Sequence, residues 1–107
     1  MSKLTQIDEA AATVTKIIAD SPMYAPIPER TLLALMLYRN HGDDPGGFLA
    51  ACLENDFVEA CTRADSANGA LLPAIANFIN NRMPMTSYGS PEVVRRWIKN
   101  NGLDEPK

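Results

Sequence analysis

The residues that could support chemistry are few, and they lie near the sole histidine, His41. A Cys–His or Ser–His–Asp arrangement within one subunit would have to use this side chain. Asp43 and Asp44 follow closely and could join His41 in metal ligation, but three such ligands at a helix end form a weak pattern. A histidine in the last turn of a helix more often stabilises exposed backbone carbonyl groups. We therefore expect no catalytic residue, no metal site and no cofactor, and a protein that is not an enzyme.

The cysteines and the N-terminal segment indicate a compartment. Cys52 and Cys61 each fall within an apolar helical pattern, where a reduced thiol behaves as a small hydrophobic side chain. A disulfide framework is not expected, which fits a reducing cytosol. Asp8 and Glu9 occupy the place where a signal peptide has its apolar centre, and no run approaches the ~18 apolar residues of a membrane span. The expectation is a soluble, cytoplasmic protein without a membrane partner.

Charged residues are unevenly distributed along the chain, whose formal net charge is −3. The charged residues of 43–65 are acidic except for Arg63, and those of 82–99 are basic except for Glu92. These two segments could attract each other within the fold or between copies, or they could be two solvated faces. The net negative charge argues against nucleic acid as a partner, because phosphate binding needs clustered lysine and arginine.

Apolar residues recur with helical spacing along most of the chain, and strand patterns are almost absent. A chain of 107 residues has the usual length of one domain. Interruptions of the helical pattern divide the chain into an N-terminal helix over 1–20, a proline-rich linker over 21–28, a helical core over 28–102 and a frayed tail over 103–107. The linker is expected to run extended across the surface. The prediction is an all-α fold, a compact single-domain bundle of five to six short helices.

Proline, glycine and capping residues predict where the helices begin. Asp44 and Pro45 fit the cap and first residue of a third helix, but Gly46 and Gly47 would then cost its first turn ~1 kcal/mol each. This favours a close approach by another helix or a loop two residues longer, while an anion at this helix end is opposed by the neighbouring acids. Pro73 predicts a helix that either kinks or begins there. Further caps are expected at Asp56, at Asp65 or Ser66, and at Ser90.

The second helix, from Pro28 to about His41, is apolar nearly all round. Such a helix belongs at the centre of a domain or in a subunit interface. Trp97 lies on a final helix whose opposite face is strongly charged. Together these features predict a homo-oligomer.

The middle of the chain carries a recognisable string of residues. GGFLAACLENDFVEACTRAD is followed by Asn68, by ANFINN, by Pro84, by Gly89-Ser90-Pro91 and by Trp97-Ile98. This pattern resembles small uncharacterised proteins encoded by tailed phages and prophages, and it covers residues 27–98. The resemblance implies no activity and no site residue. It implies a context: a small accessory protein expressed inside a bacterium, acting on host physiology or defence.

The first functional hypothesis is a binding protein that sequesters a small anionic signal of the nucleotide type in pockets between subunits. Guanidinium groups bind phosphate, and aromatic rings stack on bases. The candidate ligand-binding residues are Arg63, Arg82, Tyr88, Arg95 and Arg96. Tyr38 offers a further ring unless it belongs to the core, and the last two arginines could instead form a solvated face.

The second hypothesis is a protein–protein inhibitor or adaptor of a host protein. The segment RMPMTSYGS predicts a loop with exposed Met83, Met85 and Tyr88, which would form an adaptable apolar patch unless the methionines fold back onto the core. The third hypothesis is a helix-turn-helix regulator. Its reading helix after Gly42 would contain no Lys, Arg, Asn or Gln before Asn55, so nucleic acid is the least favoured partner unless the final helix, with Arg95, Arg96 and Lys99, is the reading helix.

Overall fold

This computed structural model describes residues 2–104 of the chain. These residues contain seven α-helices, three short 3-10 turns and no β-strand. The helices are α1 (Lys3–Asp20), α2 (Glu29–His41), α3 (Gly47–Leu53), α4 (Phe57–Arg63), α5 (Ser66–Gly69), α6 (Leu72–Arg82) and α7 (Pro91–Lys99). The all-α prediction is confirmed. The count exceeds five to six because the segment around Pro73 is divided: α5 ends at Gly69, and Pro73 lies in the first turn of α6, where its missing N–H costs nothing.

Helix α2 lies at the centre of the fold, which is one of the two positions predicted for it. Its buried side chains are Thr31, Leu32, Leu35, Met36 and Tyr38. The four apolar ones, Leu32 to Tyr38, share one core cluster with Ala10 and Val14 of α1 and with Ile75 and Phe78 of α6. Leu33 and Leu37 of α2 are partly buried against the same cluster.

The linker over 21–28 does not run extended across the surface, so that prediction is wrong. Pro22–Tyr24 forms a 3-10 turn, and Tyr24 and Ile27 are buried in the core. The Tyr24 ring packs edge-on against Phe78 with ring centroids 5.1 Å apart, and its hydroxyl accepts a hydrogen bond from Asn81 Nδ2. Burial of this large aromatic side chain outweighs the surface path that the prolines alone would favour.

Three of the predicted caps are confirmed by their hydrogen bonds. The side chains of Asp56, Asp65 and Ser90 accept from the backbone N–H three residues further on. The predicted start of the third helix at Pro45 is wrong, because α3 begins at Gly47 and Gly46 occupies the cap position with a φ of 90°. The loop before α3 is therefore two residues longer, which is one of the two alternatives that the glycines left open. Only glycine adopts the φ of Gly46 without strain.

The C-terminal end of the described chain packs against the end of α2. Gly42 ends α2 in the left-handed region, at φ 71°, and a Cβ atom there would lie 2.8 Å from the backbone nitrogen of Gly102. Gly102–Asp104 forms a 3-10 turn, while residues 105–107 of the predicted frayed tail lie outside the described residues. Trp97 Nε1 donates to the Tyr38 carbonyl at 2.9 Å, which fixes α7 on the same helix.

Candidate binding groove

An open groove of about 450 Å³ lies between the α3–α4 hairpin and α6. Its lining is mostly apolar or small: Ala51, Cys52, Leu53, Asn55, Asp56, Phe57, Ala60, Leu72, Pro73, Ala76, Ile79, Asn80, Tyr88 and Gly89. Asp56 is the charged member of this set, and no described residue that lines the groove is basic. Concave, mainly apolar surfaces of this size are the usual place for ligands and partner side chains.

The turn between α3 and α4 forms one wall of the groove, and local sequence sets it. Asn55 lies in the left-handed region at φ 65°, which asparagine tolerates better than most residues. The N–H of Asp56 then donates to the Ala51 carbonyl at 2.9 Å, and its carboxylate caps α4 through the Glu59 N–H. These contacts fold α4 back against α3, so the residues beside the turn face α6.

Small side chains create the concavity. Ala51 and Ala60 are buried on the hairpin, and Ala76 is exposed midway along the opposite wall on α6. Alanine leaves little volume above the backbone, so these positions leave space between the two walls. The α6 wall extends from Leu72 to Asn80, which at the helical rise is about 12 Å.

Hydrogen bonds fix the segment that completes the lining. The Gly89 N–H donates to the Leu53 carbonyl at 2.7 Å, and the Tyr38 hydroxyl donates to the Ser87 carbonyl at 2.6 Å. Tyr38 is fully buried, and this burial, with Glu54 nearby, raises its pKa well above the usual value. The alternative in which Tyr38 belongs to the core is therefore the correct one, and its ring is not available for stacking.

The predicted interaction loop is only partly exposed. Met85 is 84% exposed and Tyr88 is half-buried at the groove, but Met83 is 5% exposed and belongs to the core cluster. The expectation of an exposed Met83 is wrong, because this side chain follows α6 directly and folds back onto the core. Met85 projects from the surface but does not line the groove.

Sequence reasoning missed the most exposed aromatic side chain. Phe57 and Val58 directly follow the Asp56 cap, and each is 73% exposed in α4. Phe57 lines the groove and Val58 does not. Both residues stand in the first turn after the Asp56 cap of a helix of only seven residues. This position was the feature of the sequence that could have indicated their exposure.

The predicted arginines do not join Tyr88 at this site. Arg63 pairs with Glu59 at 2.6 Å, and its guanidinium lies over Gly47, where a Cβ atom would meet it at 2.9 Å. Because Gly47 has no side chain, the Arg63 guanidinium can approach its backbone closely. Arg82 donates to Ser21 Oγ at 2.7 Å, on the far end of α6.

The remaining two arginines lie on α7. Arg95 is 3.7 Å from Glu92, one turn away, and Arg96 is exposed beside it. None of the four arginines lines the groove, so one subunit does not assemble the five predicted ligand-binding residues into a single site.

The groove contains one thiol. Cys52 is half-buried in the lining, and burial, with a smaller contribution from Cys61, raises the pKa of its thiol to about 11. A thiol with this pKa is protonated near neutral pH and is a poor nucleophile. Among the described residues there is no group of three or more His, Cys, Asp or Glu that could hold a metal ion.

The fold and the groove define a small all-α protein with an open apolar groove. No family model matches the chain, and no curated protein or solved structure matches it. Between residues 2 and 104, no helix has the length and apolar character needed to cross a membrane.

Proposed function

We propose that this chain is a non-enzymatic binding protein and that its groove binds a protein partner. The observation that carries the proposal is the open apolar groove with Phe57 exposed at its edge and no basic residue in its lining. Exposed aromatic side chains beside a concave apolar surface are typical anchors of protein interfaces. A phosphate group in this groove would meet Asp56 rather than a cation.

The phage-like string that begins at Gly46 supplies the context of the proposal. It supports a small accessory protein in the bacterial cytoplasm that inhibits or adapts a host protein. The groove lies within the residues that carry this resemblance, because α3, α4 and α6 form its walls.

A nucleotide-type signal is the second candidate ligand. It is supported by Arg95 and Arg96, neighbouring exposed guanidinium groups on α7 that could bind phosphate. Because Tyr88 lies at the groove rather than beside them, this function would require a homo-oligomer in which a second subunit supplies the stacking ring.

A matched pair of variants tests the proposed function. Phe57→Ala and Val58→Ala each remove an equally exposed apolar side chain from α4, but only Phe57 lines the groove. In affinity capture from a bacterial lysate, we expect the unmodified protein and Val58→Ala to retain the same partner and Phe57→Ala to lose it. Equal recovery by both variants would exclude the groove as the binding site.

A nucleotide panel separates the two candidates. A ligand at 100 times its dissociation constant stabilises the folded state by about 2.7 kcal/mol, so binding is visible as a higher melting temperature. We expect no shift with any nucleotide. A saturable shift that disappears in Arg95→Ala or Arg96→Ala would favour the second candidate instead.

A further inference from the structure

We propose that the occupant of the groove is an amphipathic α-helix of the partner with lysine or arginine beside its apolar face. This inference rests on the proposed protein-binding function and specifies the chemistry of the partner. Three features of the groove support it: the nature of its walls, its dimensions and its charge.

The walls favour a helix over an extended peptide. An extended peptide gains affinity by hydrogen bonding to the open edge of a sheet, and the described part of the chain contains no strand. The groove is instead walled by helices α3, α4 and α6, so an extended segment finds no strand edge to pair with. A helix needs no such edge, because it pairs its own backbone groups and presents its side chains to the groove.

The dimensions fit about two turns of helix. The α6 wall spans about 12 Å, and residues i and i+7 of a bound helix are about 10.5 Å apart along its axis. Apolar side chains at i, i+3 or i+4, and i+7 would thus fill the length of the groove. The alanines Ala51, Ala60 and Ala76 allow such a helix to approach closely, and Phe57 can close over its exposed side.

The charge around the hairpin turn favours a basic flank. Asp56 lines the groove, and Glu54 and Glu59 stand on the same turn, with no basic residue between 54 and 59. Arg63 pairs with Glu59, so Asp56, which lines the groove, is the acid that a partner's lysine or arginine would face. Complementary charges at the rim of an interface select the partner and speed association.

A second copy of this chain is a poor occupant. Its basic helix α7 has its apolar residues Val94, Trp97 and Ile98 packed against its own core. A two-fold arrangement that placed Phe57 of each copy in the other's groove would bring two acidic turns together. The charge pattern that favours a basic helix therefore disfavours self-association through this surface.

The first experiment selects the preferred occupant from random sequences, so the natural partner need not be identified. A randomised library of peptides of about 18 residues, or five helical turns, is displayed on yeast and enriched for binding to the full chain. We expect the enriched peptides to repeat apolar residues at a spacing of three and four and to carry more Lys and Arg than Asp and Glu. Peptides without helical spacing, or without a basic excess, would overturn the inference.

A matched pair of variants then locates the peptide. Ala76→Arg fills the middle of the groove, whereas Asn77→Arg adds the same side chain at the next exposed position of α6, outside the lining. By fluorescence anisotropy we expect the enriched peptide to bind Ala76→Arg at least tenfold more weakly and Asn77→Arg without change. Equal affinity for both would place the peptide elsewhere and overturn the inference.

The charge is tested without loss of a helix cap, because asparagine caps as well as aspartate. Asp56→Asn should weaken binding by about two- to fivefold at low salt, as expected for an exposed ion pair, and reduce its dependence on salt. Asp65→Asn, the same change at a cap outside the groove, should leave affinity unchanged. Identical salt dependence in both variants would refute the basic flank.

The outcomes distinguish this inference from the proposed function. If lysate capture depends on Phe57 but the selected peptides are not basic helices, the inference fails and the proposed function stands. If capture does not depend on Phe57 and no peptide binds the groove, both fail. Groove resonances in NMR spectra that shift with protein concentration, without peptide, would identify a second copy as occupant and overturn the inference.

Discussion

The hydroxyl group of Tyr38 provides the sharpest test of how the groove is held together. Tyr38 and Ser87 are both fully buried, and the hydroxyl donates to the Ser87 carbonyl at 2.6 Å. Tyr38→Phe removes that donor and leaves the ring in place. The carbonyl then loses a partner within the protein interior, a loss that costs about 1–3 kcal/mol.

This cost is large enough to measure in a chain of 107 residues. A loss of 1 kcal/mol lowers the melting temperature of a domain near this size by about 4–8 °C. The urea midpoint should fall with an unchanged m-value, because the surface exposed on unfolding stays the same. Tyr88→Phe is the control: its hydroxyl is 3.5 Å from Asn80 Oδ1 at the surface, so its removal should cost within about 0.5 kcal/mol.

The contribution of Tyr38 to the stability of the folded state also depends on pH. Burial raises the pKa of Tyr38, so the folded state favours the protonated phenol. The resulting contribution to stability is fully present below the unfolded pKa of about 10 and is lost as the pH rises above it. The difference in melting temperature between the unmodified chain and Tyr38→Phe should therefore narrow above pH ~10. If Tyr38→Phe and Tyr88→Phe melt together at neutral pH, the buried hydrogen bond does not hold this segment.

Two further predictions concern the glycines and the thiols. Gly42→Ala and Gly46→Ala both place a side chain at a positive φ, at a cost of about 1–3 kcal/mol. Only Gly42 is also crowded, by the Gly102 backbone, so urea unfolding should show the larger loss for Gly42→Ala. Equal losses of stability in the two variants would mean that the Gly102 backbone moves away from a side chain at position 42 at little cost in free energy. Iodoacetamide should modify exposed Cys61 before Cys52, and the rate at Cys52 should keep rising as the pH approaches about 11. A bound peptide should slow modification of Cys52, which peptide mapping by mass spectrometry would detect.

The helix starts could be predicted because a cap is a local arrangement. Asp56, Asp65 and Ser90 each bond to a backbone N–H only three residues away, so a short window of sequence contains all the information. The start of α3 could not be fixed in this way. Gly46 and Gly47 fit both a strained first turn and a longer loop; in the structure the Gly46 N–H donates to Asp44 Oδ1 within the loop, and Arg63 of another helix packs over Gly47.

Burial over longer distances was not predictable from local pattern. Tyr24 looked like part of a surface linker because its partners, Phe78 and Asn81, lie more than fifty residues further along the chain. The groove was missed for a related reason. Its depth comes from small side chains such as Ala60 and Ala76 on separate helices. Alanines that are far apart in the chain form no sequence motif, so the space above them could not be predicted.

Contacts within the chain hold the walls of the groove, and this bears on its function. The hairpin turn at Asn55, the Gly89–Leu53 hydrogen bond and the buried Tyr38 hydroxyl each fix one part of its lining without help from a ligand. A preformed surface loses little conformational entropy on binding, so the cost of ordering falls mainly on the partner segment. A partner that is already helical loses less entropy than one that must fold on the surface. For a groove held by its own hydrogen bonds, the conformation of the partner thus sets most of the entropy cost, which favours a preformed helix as the occupant.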